Sequence, residues 1–294
     1  MNGMEKIIRL LLIILFFFFL SPVETRPSSG LDVTLTPSTI GQGEVALLSI
    51  QKLGKAKPTV RWMGKKITLL SDNKNEAWVG FIGADLTIKP ERYKIKTTFS
   101  DSAKPHTITV SVFSRDYGSR RLTLPKQMVE LDTATLKRVR EESNTVKGLF
   151  ISSGKKPLWM GKWIRPVPGM IVSPFGCRCI INGMERSPHS GVDLKAAEGD
   201  PIKAPNKGMV ALVAHHFFSG LSIVIDHGGG IQSMYFHLSK DFVKVGQLVE
   251  KGTIIGLAGS SGRVTGPHLH FGIRLNNGRI DPIQLIEISG RLER

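Results

Sequence analysis

The chain has 294 residues, of which 41% are hydrophobic and 22% are charged. This composition is sufficient for two ordinary domains and excludes a globally disordered chain. The net charge of +16 is concentrated before residue 167, with +7 in residues 31–125, +5 in 126–166 and +3 in 167–294. Such a basic region either is a solvated face or binds an anionic wall or membrane surface, such as cell-wall carboxylates or lipid headgroups.

Residues 1–25 are predicted to be an export signal. Lys6 and Arg9 precede 11 consecutive apolar residues, Leu10 to Leu20. A membrane-spanning helix needs about 20 apolar residues, so the run fits a signal peptide better. No small-x-small cleavage motif follows it cleanly, so a retained anchor in the inner membrane stays open. In both cases the remaining chain is exported to the periplasm or cell envelope, which argues against nucleic acid as a partner.

Residues 31–125 are predicted to form an immunoglobulin-like β-sandwich. Tyr93, Ile95 and Thr97 alternate with more polar residues, as in half-buried strands, and glycines separate the strand candidates. Six or seven short strands in about 95 residues are typical of a two-sheet sandwich. The candidates are 33–35, 45–50, 59–63, 78–82, 93–99 and 106–113.

Residues 126–166 are predicted to be a basic linker with one short helix. Asp132 or Thr133 is a suitable helix cap, and the helix is expected to run to about Ser143 with Leu136 and Val139 on one face. A loop at 152–157 follows.

Residues 167–290 are predicted to form an antiparallel sheet. The connections are too short for parallel β-α-β units, and no amphipathic helix of normal length is evident. The strand candidates are 209–215, 221–227, 231–237, 253–257 and 268–275. The whole chain is therefore expected to be all-β.

Two donor pairs in this last region predict a catalytic zinc site. His189 and Asp193 lie four residues apart, and His268 and His270 lie two apart on a predicted strand. Residues i and i+2 of a strand point to one face, about 6.6 Å apart along the chain, so both imidazoles face one site while Leu269 and Phe271 face the core. Three protein ligands leave a coordination position open, as in catalytic zinc sites. Spacing alone does not decide which of His268 and His270 is the ligand.

Other conspicuous residues have less definite roles. His227 ends a strand and is interpreted as a hydrogen-bonded bystander. Cys177 and Cys179 would close a small, strained disulfide ring, so we interpret them as a redox-sensitive pair without a catalytic role. A labile disulfide, free thiols and half of a metal site are the alternatives.

Several motifs follow one another between residues 168 and 285. They are Val172–Gly176, His189–Leu194, Gly208–Val210, Ile225–Gly228, Tyr235–Ser239, Gly246–Gly256, Gly259–Gly262 and Pro267–Phe271. In order and spacing this region resembles the lysostaphin-type zinc endopeptidases, also called the LytM or LasA type. The resemblance implies an antiparallel metallopeptidase domain of the duplicated hybrid motif type.

The resemblance also implies roles for individual residues. His189, Asp193 and His270 would bind one Zn²⁺ per chain, and His237 and His268 would flank the zinc-activated water and the scissile carbonyl. The implied reaction is hydrolysis of peptide cross-links in bacterial peptidoglycan, with the D-Ala to diaminopimelate bond favoured over glycine-rich bridges. The alternative is a catalytically silent wall-binding module or amidase activator. Four residues are candidates to line the substrate groove: Arg186, Phe217, Phe218 and Arg263.

Overall fold

The structure is a computed structural model that describes residues 32–52, 56–100, 104–123, 130–151 and 153–293. The predicted export signal lies outside the described residues. Within the described ranges, none of the helices has the length and apolar character needed to cross a membrane. In the described residues the fold is mostly β-sheet with two α-helices, which confirms the expected fold class.

The N-terminal part forms two sheets, which accounts for all six strands predicted there. One sheet has the order β1-β3-β7-β6 and the other β2-β9-β8-β4-β5, with β2–β9 as the parallel pair. The sequence did not reveal β2, β5 and β6, because strands of two or three residues carry no periodic signal. The immunoglobulin-like topology stays a prediction. The strands described before residue 130 are β1 Val33–Thr36, β2 Ile40–Gly41, β3 Val45–Gln51, β4 Thr59–Trp62, β5 Lys65–Ile67, β6 Leu70–Asp72, β7 Ala77–Gly83, β8 Arg92–Thr98, β9 His106–Phe113 and β10 Ser119–Leu122.

Helix α1 spans Thr133–Ile151, so the prediction that it ends near Ser143 is wrong. Its start is as predicted, because the Asp132 carboxylate accepts a hydrogen bond from the Thr135 backbone amide at 2.7 Å. The helix continues because Val146 and Phe150 extend its apolar face and pack against a small cluster on the C-terminal sheet. Tertiary packing therefore sets its length.

The segment after α1 packs into the core. Trp159 and Trp163 are 3% and 0% exposed. The Trp159 ring lies 5.2 Å from the Phe81 ring, and the Trp163 ring lies 4.6 Å from the His227 ring. Residues predicted as a linker thus contact both the N-terminal sheets and the C-terminal sheet. The division into a sandwich, a linker and a peptidase domain stays a prediction.

The C-terminal part is built on a ten-stranded sheet whose pairs are all antiparallel, as predicted. Its main order is β11-β14-β21-β18-β17-β16-β19, with β15 and β20 extending from β18 and β22 paired to β21. A smaller sheet joins β10, β12 and β13. The strands are β11 Ile171–Ser173, β12 Arg178–Ile181, β13 Met184–Arg186, β14 Val192–Leu194, β15 Pro201–Lys203, β16 Gly208–His216, β17 Gly220–Asp226, β18 Ile231–Asp241, β19 Leu248–Val249, β20 Ile254–Ala258, β21 Leu269–Leu275 and β22 Gly278–Ile280.

A short helix, α2 (Pro282–Ser289), follows the sheet and leads into a 3-10 turn at Gly290–Glu293. The Asp281 carboxylate caps α2 by accepting from the Ile283 and Gln284 amides, and Pro282 occupies the first helical position. The Asp-Pro pair is a helix-start signal, so the sequence does contain the information that locates α2.

His227 is fully buried and its ring nitrogens are both satisfied within the core. Nδ1 lies 2.8 Å from the Lys207 carbonyl oxygen, which can only accept, so Nδ1 carries the proton. Nε2 then accepts a hydrogen bond from the Ser233 hydroxyl at 2.7 Å. The Ser233 hydroxyl also forms a hydrogen bond with the Tyr235 hydroxyl at 2.8 Å. His227 therefore has a structural role, in agreement with its interpretation as a bystander.

His227 should make the fold sensitive to acid. Burial lowers the pKa of His227 from 6.5 to about 4, so the unfolded chain binds a proton between these pH values that the folded chain does not. Stability is therefore lost as the pH falls from 6.5 towards 4, and the loss between pH 7 and pH 5 is about 2 kcal/mol. The measurement is urea unfolding at both pH values with chelator present.

His227→Gln is the matched variant for this measurement. Glutamine has an amide donor and acceptor but does not titrate. The loss of unfolding free energy between pH 7 and pH 5 should therefore be smaller in this variant by about 2 kcal/mol. An unchanged difference would show that His227 is not the group responsible.

Candidate metal and catalytic site

Neighbouring strands bring the predicted site residues together. Asp193 on β14 lies directly opposite His270 on β21, and His270 lies opposite Phe236 on β18. Leu269 and Phe271 are both 0% exposed on the core side, so the alternation of β21 places His270 on the other face, as predicted. His189 comes from the loop before β14, where its backbone exchanges hydrogen bonds with Gly176 and Cys177.

Three donor atoms converge on one point. His189 Nε2 lies 2.9 Å from His270 Nδ1, and Asp193 Oδ1 lies 3.0 Å from each of these nitrogens. Tetrahedral zinc with bonds of about 2.0–2.1 Å holds its ligand atoms roughly 3.3 Å apart, so a small opening of this triangle admits the ion. Among the described residues this trio is the group of donors placed to hold a metal. The donor set of two imidazoles and one carboxylate fits zinc and leaves a coordination position open.

The surroundings fix the orientation of the two imidazole ligands. His189 Nδ1 donates to the Pro174 carbonyl oxygen at 2.8 Å, which directs the lone pair of Nε2 towards the other donors. The His270 ring stacks on Phe236, with centroids 5.1 Å apart and planes 3° apart. A Cβ on Gly191 would lie 2.5 Å from the Phe271 carbonyl oxygen and 2.8 Å from His270 Nε2. Glycine at residue 191 therefore permits the close approach of the loop to the ligand strand.

The electrostatics keep the donors in the protonation states that bind a cation. Burial alone would raise the pKa of Asp193, but its close contacts with the His189 and His270 rings outweigh burial and hold that pKa well below its usual range. Burial lowers the pKa of His270 despite the nearby Asp193 carboxylate. An ionised carboxylate and a neutral imidazole are the forms a metal ion requires.

Two further imidazoles lie beside this trio. The His237 and His268 ring centroids are 5.0 Å apart, and His268 Nε2 lies 3.7 Å from Asp193 Oδ1. His268 Nδ1 donates to the Gly266 carbonyl oxygen and His237 Nδ1 donates to the Ser261 carbonyl oxygen, each at 2.9 Å. The other nitrogen of each neutral ring, Nε2, therefore carries a lone pair and can accept a hydrogen bond.

A β-bulge positions His237. Leu221 pairs with Leu238 and Ile223 pairs with Tyr235, so β18 has two residues where β17 has one. His237 lies in this bulge with φ of +66°, a left-handed conformation that is costly for a non-glycine residue. Burial lowers the pKa of His237 from 6.5 to about 4, so its imidazole is neutral at pH 7.

Ser261 holds the loop that orients His237, a role that the sequence did not reveal. Its hydroxyl accepts from the Leu221 amide at 2.9 Å and donates to the Leu238 carbonyl oxygen at 2.7 Å, while its own carbonyl oxygen accepts from His237. The Gly-Ser-Ser-Gly motif at 259–262 was the available signal, but only the folded strands show which partners the second serine has.

The predicted groove residues are partly brought together. The Arg263 guanidinium lies 3.9 Å from the centroid of the Phe218 ring, and the Phe217 and Phe218 rings are 5.0 Å apart. Arg186 lies on β13 and is exposed. Their contact with substrate stays a prediction.

The two cysteines are free, with Cys177 buried and Cys179 half-buried. Neither belongs to the metal-binding trio found among the described residues. This leaves free thiols as the state observed, and their redox sensitivity stays a prediction.

The site has two imidazoles and a carboxylate around one point and two more imidazoles beside them. This arrangement is typical of metal-dependent hydrolases. The sequence profile of peptidase family M23 matches residues 187–282. A crystal structure from Pseudomonas aeruginosa, described as a peptidase M23, is 32% identical with a TM-score of 0.65, and the match covers 84% of this chain and 95% of that one. The chain belongs to peptidase family M23, a family of metallopeptidases.

Curated relatives match about a third of this chain. "Peptidoglycan DD-endopeptidase ShyB" of Vibrio cholerae is 41% identical over 97 residues, which are 33% of this chain and 23% of that protein. "DD-carboxypeptidase/endopeptidase Mpg" of Neisseria meningitidis is 35% identical over 117 residues, which are 39% of this chain and 26% of that protein. The chain therefore matches about a quarter of the length of these relatives.

Proposed function

We propose that this protein is a zinc-dependent endopeptidase that hydrolyses peptide cross-links of bacterial peptidoglycan. The observation that carries the proposal is the convergence of His189, Asp193 and His270 within 2.9–3.0 Å of one another. The relatives named as peptidoglycan DD-endopeptidases support the substrate class. The complete set of donors and flanking imidazoles argues against a catalytically silent activator.

The chain's own residues supply binding and proton transfer. Zinc, when bound, polarises a peptide carbonyl and makes water nucleophilic near neutral pH. His237 or His268, when neutral, accepts a proton through Nε2, and the resulting imidazolium stabilises the developing oxyanion or protonates the leaving amine. The bonds from Nδ1 to the Ser261 and Gly266 carbonyl oxygens keep each ring in the tautomer that allows this.

We favour the D-Ala to diaminopimelate bond, since several relatives are named DD-endopeptidases. Glycine-rich bridges are the second candidate. We also propose that the chain is exported to the periplasm or cell envelope through residues 1–25, which supports the same substrate because peptidoglycan lies there.

Muropeptide analysis tests the proposal. Purified sacculi are incubated with the full chain, with and without a zinc chelator, and the released fragments are identified by mass spectrometry. We expect the amount of cross-linked dimeric muropeptides to fall and the amount of monomers to rise. The monomers should carry the new amino and carboxyl ends that cleavage of a cross-link creates, and excess chelator should stop the reaction. Re-addition of zinc should restore it. Products from glycosidic cleavage, or cleavage that persists in chelator, would contradict the proposal.

A further inference from the structure

A cleft of about 820 Å³ lies on a different part of the molecule from the metal site. Its walls come from the β4–β5 region of an N-terminal sheet, from the segment after α1 and from the turn between β17 and β18. Pockets of about 300–1,000 Å³ typically hold small organic ligands, so its size is sufficient for a binding site.

The cleft is strongly basic, although the Asp226 carboxylate accepts hydrogen bonds from its lining residues Ser153 and Gly154. Five lysines line it, and no described lining residue is acidic. Lys57 Nζ donates to the Leu69 carbonyl oxygen at 2.7 Å, and Lys65 Nζ donates to the Asn276 carbonyl oxygen, so two of the ammonium groups are held in place by the backbone. The other three make no ion pair with a described acidic residue; they are Lys66, Lys155 and Lys156.

The remaining lining is suited to a ligand with many acceptor atoms. Thr59 and Thr68 supply hydroxyl groups, and Asn277 supplies an amide. Gly229 and Gly230 have φ of +64° and +87°, and a Cβ on either would meet Thr68 or Asn276, so glycine at these positions lets the walls of the cleft pack closely together.

The half-buried cation Arg274 lies next to this cleft. Its guanidinium lies 4.8 Å from the centroid of the Phe150 ring, and Phe150 lines the cleft. The buried Nε of Arg274 has no hydrogen-bond acceptor within the described structure. Its Nη1 donates to the Asn277 carbonyl oxygen at 3.5 Å, so Arg274 is partly satisfied and contributes one further positive charge beside the cleft.

The choice of lysine over arginine indicates the class of ligand. Arginine suits flat, bidentate binding of a single carboxylate, whereas lysine acts as a point charge and suits phosphate oxygens that are approached from several directions. We propose that this cleft binds a phosphate-bearing molecule, either a phosphodiester headgroup of a lipid or a soluble phosphate chain. Ile151, which lines the cleft and is 78% exposed, gives the non-phosphate part of such a ligand an apolar contact.

A ligand bound there would leave the metal site free. Seven residues along β18 separate Gly230 from His237, which is roughly 20 Å for an extended strand. The cleft therefore acts as a second binding site that holds the protein on a phosphate-bearing surface or polymer while the metal site works on another molecule.

Isothermal titration calorimetry on the full chain tests the proposal with two soluble probes. Tripolyphosphate represents the soluble phosphate chain, and monomeric dihexanoyl phosphatidylglycerol represents the lipid headgroup, with dihexanoyl phosphatidylcholine as its zwitterionic counterpart. The test variant is Lys66→Ala/Lys155→Ala/Lys156→Ala, which spares the two lysines bound to carbonyl oxygens. The matched control, Lys195→Ala/Lys203→Ala/Lys244→Ala, removes the same charge from exposed residues outside the cleft.

We expect at least one anionic probe to bind, with affinity falling tenfold or more in the test variant and less than twofold in the control. Tighter binding of tripolyphosphate would identify a soluble phosphate chain, and tighter binding of phosphatidylglycerol a lipid headgroup. Equal losses of affinity in both variants would show that binding depends only on net charge and would overturn the proposal. The absence of binding to both anionic probes would overturn it as well. Circular dichroism and zinc content verify that each variant is folded.

Discussion

Replacing His270 by alanine is expected to remove zinc from the protein and to abolish peptidoglycan hydrolysis. His270 Nδ1 lies 2.9 Å from His189 Nε2 and 3.0 Å from Asp193 Oδ1, so the variant loses one of three converging donors. Residues that only support a metal ligand contribute about 10–100-fold to metal affinity, and a ligand itself should contribute more. Metal analysis of the dialysed protein by mass spectrometry measures the loss directly.

His268→Ala is the matched control for this experiment. His268 lies on the same face two residues earlier, but its Nε2 is 3.7 Å from Asp193 Oδ1 and its other nitrogen bonds to a backbone carbonyl. We expect this variant to keep about one zinc per chain while its activity falls. Full zinc content in His270→Ala, or loss of zinc in His268→Ala alone, would reverse the assignment of ligand and catalytic residue.

The pairing of these two histidines shows what could be predicted from the sequence. The period of two along a strand placed His268 and His270 on one face, with Leu269 and Phe271 in the core, and the structure agrees. This alternation could not show which of the two histidines is the metal ligand, because both side chains point to the same face. The distinction comes from β14, which places Asp193 directly opposite His270.

The features that were missed depend on contacts between distant segments. The last two turns of α1 exist because Phe150 packs beside Met234, more than 80 residues later in the chain. The parallel pairing of β10 with β12 is equally non-local, and so are the two buried tryptophans in the predicted linker. Local patterns cannot contain such information, whereas they do contain the alternation of long strands.

The left-handed conformation of His237 belongs to the same category. From sequence, the residue is the end of an apolar strand; in the structure it lies in a bulge that turns its side chain towards His268. Strained backbone of this kind is retained where the surrounding structure fixes it, and here the Ser261 loop and the Ser219 carbonyl, which accepts from the His237 amide, do so. From this strain we expect His237 to have a catalytic rather than a packing role.

Replacing His237 by asparagine is expected to leave zinc bound and to slow turnover by about 10²–10⁴-fold, the usual contribution of a general acid or base. Asparagine is chosen because it tolerates positive φ, so the +66° backbone of the bulge is preserved while the imidazole is lost. The zinc content should stay near one per chain, since His237 is not one of the three converging donors. Initial rates of muropeptide release and metal analysis are measured on the same preparation.

The matched control is His215→Asn, which makes the same chemical change at an exposed histidine on β16. This variant should retain both zinc and activity, because His215 is absent from the trio and makes no contact with it among the described residues. An active His237→Asn protein would show that His268 alone transfers the proton. A His237→Asn protein without zinc would instead show that the bulge supports the metal site, and the slow turnover would then have no bearing on acid–base catalysis.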